Sequence, residues 1–242
     1  NDFPVLYNYK LILLDKLSNF SFPLWSPSEA CGYTFYSNPF VQAFYPLNIL
    51  LAVFYKINGG YSYADHQIFT VLGLSVFAVG LLLWLRSLKI NPLFALTAVL
   101  IISVSSRMTE ILRFTNAVHT IAWVPFILYA LTMAADSAKK IRAGAVLFFS
   151  FVMMITAGYA YYVYYSVFLL IPYAMILIYA VYKKYIFEDV KFSLKEYVTV
   201  VTISVTTAVL VCLPYLNAVK HLMDQTDKRT GVSFEFSTLH KF

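Results

Sequence analysis

The stretch from Ile68 to Leu85 contains no ionisable side chain, and it is one of several long apolar runs in the chain. Such a run limits the fold severely. Water rejects its side chains on every face, whereas a bilayer accepts them and requires only that the backbone groups bond internally, as in a helix. On this basis residues 64–86, 92–106, 119–135, 143–157, 160–182 and 196–213 form six predicted spans. The composition agrees: 60% of residues are hydrophobic and 12% charged, where soluble domains carry about 25% charged residues. The apolar runs are continuous rather than alternating, which argues against a β-barrel. The predicted class is all-α, a polytopic transmembrane helical bundle.

Charge divides the bundle into two ends. Arg86, Lys89, Lys139, Lys140, Arg142, Lys183, Lys184, Lys191 and Lys195 fall in three short loops, at 86–91, 136–142 and 183–195, that alternate to one side. Basic residues packed into short loops mark the cytoplasmic side. The net charge of +6 is therefore read as topology and lipid-headgroup contact, and no nucleic-acid partner is expected. The two cysteines, Cys31 and Cys212, form no metal motif, and no Walker, GxGxxG, HExxH or GxSxG pattern occurs.

Residues 1–63 are predicted to be an outer loop with interfacial helices. Residues 4–20 form an amphipathic helix in which Lys10, Asp15 and Lys16 break the apolar run. The segment Phe20–Asn48 is rich in aromatic residues, Pro, Asn and Ser, a composition suited to the membrane–water boundary. Residues 44–57 make a second interfacial or re-entrant helix closed by Gly59-Gly60. Ser62 and Asp65, in capping-box spacing, open the first span. The bundle occupies 64–213, residues 214–242 form an outer polar tail, and the whole is expected to be a piece of a larger membrane domain.

The outer side gathers the unusual polar residues. Arg107, Glu110 and Arg113 stand three apart, so on a helix they share a broad face. Two readings stay open: a self-neutralised helix end, or a cationic site for a phosphate or diphosphate, to which Arg offers a bidentate fork. His119 is either a phosphate donor or proton shuttle, or a buried structural histidine. Asp2 is either a helix cap or a carboxylate that takes a proton from an attacking hydroxyl. The tyrosines at 159, 161, 162, 164 and 165 form an aromatic belt or a sugar-stacking surface.

The order of these features resembles the YfhO-like bacterial membrane proteins of the GT-C superfamily of polyprenyl-phosphate-sugar-dependent glycosyltransferases. The resemblance rests on Asp2, on Pro23, Trp25, Pro27, Gly32, Asn38, Pro39 and Gln42, on Phe44-Tyr45-Pro46-Leu47, and on His119 with Ala122-Trp123-Val124-Pro125. Thr156-Ala157-Gly158 resembles the start of the family's Gly-His-x-Gln segment, with Tyr159 in place of His and Tyr161 in place of Gln. The resemblance covers the whole chain as the N-terminal half of the family's transmembrane core.

It implies a GT-C-like fold and an inverting transferase in the bacterial cytoplasmic membrane, with residues 1–63 facing outward. Asp2 would be the catalytic base, and Glu110 a second acidic residue. Arg107, Arg113 and His119 would hold the lipid phosphate. Trp25, Asn38, Gln42, Tyr45, Tyr159 and Tyr162 would wall the acceptor side. The partners implied are a polyprenyl-phosphate-linked sugar, a glycan, polymer or protein acceptor, and membrane lipids. Some GT-C enzymes use a divalent cation, but no ligand cluster in the sequence demands one. A transporter or flippase for a lipid-linked or polar substrate, and a non-catalytic membrane scaffold, are the alternatives.

Overall fold

The computed structural model describes residues 3–27, 32–186 and 192–225. Helix dominates these residues. The α-helices are α1 (Phe3–Ser18), α2 (Leu47–Asn58), α3 (Tyr63–Ser87), α4 (Pro92–Ser103), α5 (Ser106–Ile111), α6 (Thr115–Ile121), α7 (Val124–Ala134), α8 (Lys140–Thr156), α9 (Ala160–Tyr182) and α10 (Leu194–Gln225). Extended structure among the described residues is confined to β1 (Trp25–Ser26) and β2 (Tyr33–Thr34). They pair antiparallel with Trp25 opposite Thr34.

Four segments are long and apolar enough to cross a bilayer: Tyr63–Ser87, Thr115–Ala134, Ala160–Tyr182 and Leu194–Asp224. This marks the chain as an integral membrane protein. Two of the six expected spans are shorter. α4 has 12 residues and α8 has 17, so at 1.5 Å per residue they reach about 18 and 26 Å, short of a hydrocarbon core of about 30 Å. α4 stops early because Val104 and Ser105 leave the helix before α5 begins. The last helix departs in the other direction. It runs through Pro214 to Gln225 rather than ending near residue 213, and Tyr215 and Ala218 beyond the proline are buried. Pro214 removes one N–H donor, a loss the flanking turns accommodate.

α6 and α7 form the centre of the bundle. Pro125 at the start of α7 has no N–H to continue the ladder, and the helix breaks at Ala122 and Trp123. Of the apolar window in Thr115–Ala134, 83% is buried, against 33%, 17% and 22% for the other three segments. Around this axis α3 packs on α7, α7 on α8, and α8 on α10. The outer faces carry exposed large apolar side chains, among them Leu72, Phe94, Ile101, Phe168, Met175 and Leu210. A face of this kind on a monomer marks contact with lipid or protein. Some polar groups between the helices are paired, as where Trp84 Nε1 donates to the Tyr173 hydroxyl at 2.7 Å, whereas Asn116 and the hydroxyls of Ser103, Ser150 and Tyr197 are buried without a hydrogen-bond partner among the described residues.

Contacts between distant helix ends sort the loops as charge patterning predicts. Lys140 at the start of α8 pairs with Glu196 at the start of α10 at 2.9 Å. At the opposite end Gln42 reaches Ala157, and His66 reaches Thr115. We call these the basic end and the loop end. The predicted capping box is formed: the Ser62 hydroxyl accepts from Asp65 N–H at 3.2 Å, and the Asp65 carboxylate accepts from Ser62 N–H at 2.8 Å.

The aromatic segment is a compact unit rather than an open loop. Leu13 of α1, Phe35, Val41 and Ala43 make a small core of their own. Leu14, Ala52 and Tyr61 clamp α1 to α2. Where this unit meets the bundle, Gly158 takes φ +86, and a Cβ there would overlap the Pro39 carbonyl oxygen. Gly158→Ala therefore combines a left-handed backbone cost of about 1–2 kcal/mol with displacement of the loop. A fall of at least that size should appear in the unfolding free energy measured in detergent micelles. Gly60→Ala is the control, because nothing lies within 4 Å of the equivalent Cβ there.

Candidate functional site

The buried residues of α1 are Phe3, Leu6, Lys10, Leu13, Leu14 and Ser18. Their spacing is that of one helix face, and Lys10 lies in the middle of it. Lys10 does not break the apolar stripe, as expected from sequence; it belongs to it. The side chain is 2% exposed. Its Nζ donates to Gln42 Oε1 and Asn48 Oδ1, each at 2.8 Å, and lies 5.2 Å from the Phe69 ring centre. Among the described residues no carboxylate pairs with it. Burial pushes the ammonium down from its ordinary 10.5 to about 7. Two N–H bonds are also what an unprotonated amine can still donate, so the two amide oxygens suit either state.

Gln42 is the hub of this arrangement. Its Nε2 donates to the Ala157 carbonyl at 2.7 Å, and its own carbonyl accepts from Asn48 Nδ2 at 2.6 Å. Its backbone is left-handed, with φ 59. A non-glycine residue holds that conformation only when its surroundings over-determine it, and here three side-chain hydrogen bonds do so.

A second chain of bonds runs deeper. His119 Nε2 lies 2.9 Å from the Phe69 carbonyl, which can only accept, so this nitrogen carries the proton. Nδ1 therefore accepts from the Tyr45 hydroxyl at 3.1 Å, and the Tyr45 oxygen accepts from Trp123 Nε1 at 3.1 Å. The Phe69 ring stacks on His119 at 4.2 Å. His66 is enclosed likewise, with the Tyr61 hydroxyl at 3.2 Å from Nδ1 and Thr115 Oγ1 at 3.1 Å from Nε2. Both histidines are 0% exposed.

Two of the clefts at this end are lined by residues from the start of α1. One, of about 460 Å³, is lined by Val5, Leu6, Tyr9, Phe40, Phe114 and Tyr159, with Gly158 at its base. The other, of about 400 Å³, is lined by Phe3, Tyr63, Gln67, Thr70, Leu112 and Arg113. Thus consecutive residues of the α5–α6 connection, Arg113 and Phe114, each face a different cleft. Beside them Arg107 and Arg113 both pair with Glu110 at 3.3 Å, with all three side chains more than half exposed.

The expected site residues therefore separate into groups. Arg107, Glu110 and Arg113 stand together at the surface, and Tyr159 lines the larger cleft, its ring 5.0 Å from that of Tyr162. His119 is not at the surface: both ring nitrogens are engaged within the protein, and no face is open to a phosphate. Gln42 and Tyr45, each 1% exposed, are internal ties rather than an acceptor-side wall. Asn38 caps a short 3-10 turn by accepting from Phe40 N–H at 3.0 Å. Trp25 is exposed over Gly32, away from either cleft. Asp2 lies outside the described residues. Among the described residues no three His, Cys, Asp or Glu side chains come together. No protein-family model, curated protein or solved structure matches the chain.

The residue that sequence reasoning passed over is Lys10, although its spacing of four from Leu6 and of three and four from Leu13 and Leu14 placed it on the buried face. Its titration has a stability consequence. The unfolded chain holds the Lys10 proton to about pH 10.5, while the folded protein releases it near 7. Between those values the unfolded state binds more protons, so stability rises with pH across that window. Lys10→Met should abolish that rise. It also orphans two amide oxygens, at about 1–3 kcal/mol each. Melting temperatures in detergent from pH 6 to 9.5 should show a deficit for the variant that widens as pH increases.

Proposed function

We propose that this protein is a membrane glycosyltransferase of GT-C type that moves a sugar from a polyprenyl-phosphate donor to an acceptor at the outer face of the membrane. The observation that most supports this reading is the pair of clefts about the first turn of α1, one aromatic and one bordered by Arg113. A lipid-linked sugar phosphate needs both an apolar wall and a cation, within a short distance of one another.

In this reading the loop end faces outward. The six-pass count is restored by adding the 3-10 turn Ser137–Lys139 to α8, for about 31 Å in all, and by taking α4 with α5 as a broken crossing. Arg107 and Arg113 hold the donor phosphate. Their present partner Glu110 forms exposed ion pairs, which contribute little and yield readily to a phosphate. The larger cleft takes the sugar or the first isoprene units against Phe40, Phe114 and Tyr159.

The acceptor oxygen then attacks the anomeric carbon from the face opposite the phosphate. As that bond forms, the bond from carbon to phosphate oxygen breaks, and the phosphate departs with the electron pair. Arginine stabilises the charge it gains. The proton of the acceptor hydroxyl passes to the carboxylate of Asp2.

Asp2→Asn in the full-length protein should lower sugar transfer from a radiolabelled polyprenyl-phosphate donor by about 10²–10⁴-fold, the usual contribution of a general base. Arg113→Gln should raise the KM for donor more than it lowers kcat. Full turnover by Asp2→Asn would remove Asp2 as base. A wild-type protein that transfers no sugar from any such donor would end the transferase reading.

A further inference from the structure

The basic end holds a cleft of about 320 Å³, where α3 and α7 finish and α8 begins. Arg86, Lys139 and Arg142 line it with Asp136, Tyr129 and Thr132. Three cations face one carboxylate, and that carboxylate is already committed to Lys139 at 3.0 Å. The Lys139 ammonium beside it holds Asp136 below the usual carboxylate range, together with N–H donation from Ala138. Arg86 uses one nitrogen, Nη1, on the Ile90 carbonyl at 3.0 Å. Among the described residues the Arg142 guanidinium and the Tyr129 hydroxyl have no partner. The cleft is thus short of negative charge and supplied with donors.

Below it the surface turns apolar. Ile68, Leu72, Val79 and Leu83 repeat at helical spacing along α3, each exposed, and Leu83 reaches the cleft itself. Phe126, one turn from Tyr129 on α7, packs over Gly80 of α3, where any side chain would collide with it. Gly80 therefore lets the two helices close up, beside the exposed Val79 and Leu83.

We propose that this cleft is a binding site for an anionic phospholipid. The phosphodiester sits between Arg86 and Arg142, the Tyr129 hydroxyl donates to the headgroup, and one acyl chain lies along the Leu83–Val79–Leu72 stripe. Charge complementarity selects the class: a zwitterionic headgroup would bring its own cation into a cleft that already has an excess. A basic pocket between helices at the membrane boundary is a recurrent form of lipid-headgroup site. The proposal concerns the end opposite the clefts assigned to sugar transfer, and it does not depend on that assignment.

The test uses the purified full chain in detergent micelles, titrated with dioleoylphosphatidylglycerol, dioleoylphosphatidylcholine or glycerol 3-phosphate, with thermal stability and native mass spectrometry as readouts. Phosphatidylglycerol should raise the melting temperature and remain as a mass adduct, and phosphatidylcholine should do neither. Replacing Arg86, Lys139 and Arg142 by Gln should weaken the phosphatidylglycerol response about fivefold for each cation removed. Lys183→Gln with Lys184→Gln, which alters the same end outside the cleft, should leave it unchanged. If the triple variant fails to fold, Arg142→Gln alone carries the test, with about a fivefold loss expected. A response that survives these changes, or that phosphatidylcholine matches, would overturn the proposal. An equal response to glycerol 3-phosphate would identify a free phosphate-ester site and overturn the lipid assignment.

Discussion

Gln42 joins the two parts of this molecule. Its side chain takes a hydrogen bond from Lys10 of α1 and gives one to the Ala157 carbonyl at the end of α8, while its backbone carbonyl accepts from Asn48 of α2. All of these groups are buried. Inside a low-dielectric region an unmet amide costs more than a made bond returns. Removing any one member would orphan the others, so the interfacial unit can dock in only one register. The left-handed backbone at Gln42 and the close approach of Pro39 to Gly158 are tolerated because the docked arrangement leaves no alternative.

That docking shapes the two clefts that the start of α1 lines. They exist because the first turn of α1 is laid across the mouth of the bundle, between the α5–α6 connection and the start of α9. The Tyr45–His119–Trp123 chain anchors the same unit from below, its direction set by the Phe69 carbonyl, which can only accept from His119 Nε2. The polar residues here form two layers: buried ones that hold the loop, and exposed ones, Arg107, Glu110 and Arg113, that can meet a ligand. At the other end the cations are arranged differently. They surround a cleft with one committed carboxylate and open on an apolar helix face, so the two ends suit different kinds of molecule.

Much of the fold was legible from local signals. The apolar runs announced helices that need no water, the Ser62–Asp65 spacing announced the start of α3, and the basic clusters sorted the loops to two ends. These signals are short-range, and side-chain chemistry at each position was enough to read them. Span lengths were less legible. α4 ends at Ser103 and α10 continues past Pro214, because neighbours, rather than composition, decide where a helix may stop. The exposed cluster was legible, because Arg107 and Glu110 stand three apart on α5 and Arg113 follows three further on, just past its end. His119, Gln42 and Tyr45 were read as ligand-facing because a polar side chain in an apolar setting invites that reading. The bonds from Gln42 to Ala157, Tyr45 to His119 and His119 to Phe69 span 115, 74 and 50 residues of sequence, beyond the reach of any spacing rule.

The sequence by itself determined the apolar surroundings of this protein and the grouping of its basic loops at one end, since hydrophobicity and charge are properties of residues one at a time. It also contained the amphipathic face of α1, with Lys10 in the middle. Only the tertiary structure decided that this lysine is buried between two amides, that both histidines are internal, and that the start of α1 lines two clefts. Those outcomes depend on which distant donor meets which acceptor once water is excluded, and that pairing is settled by packing rather than by residue type.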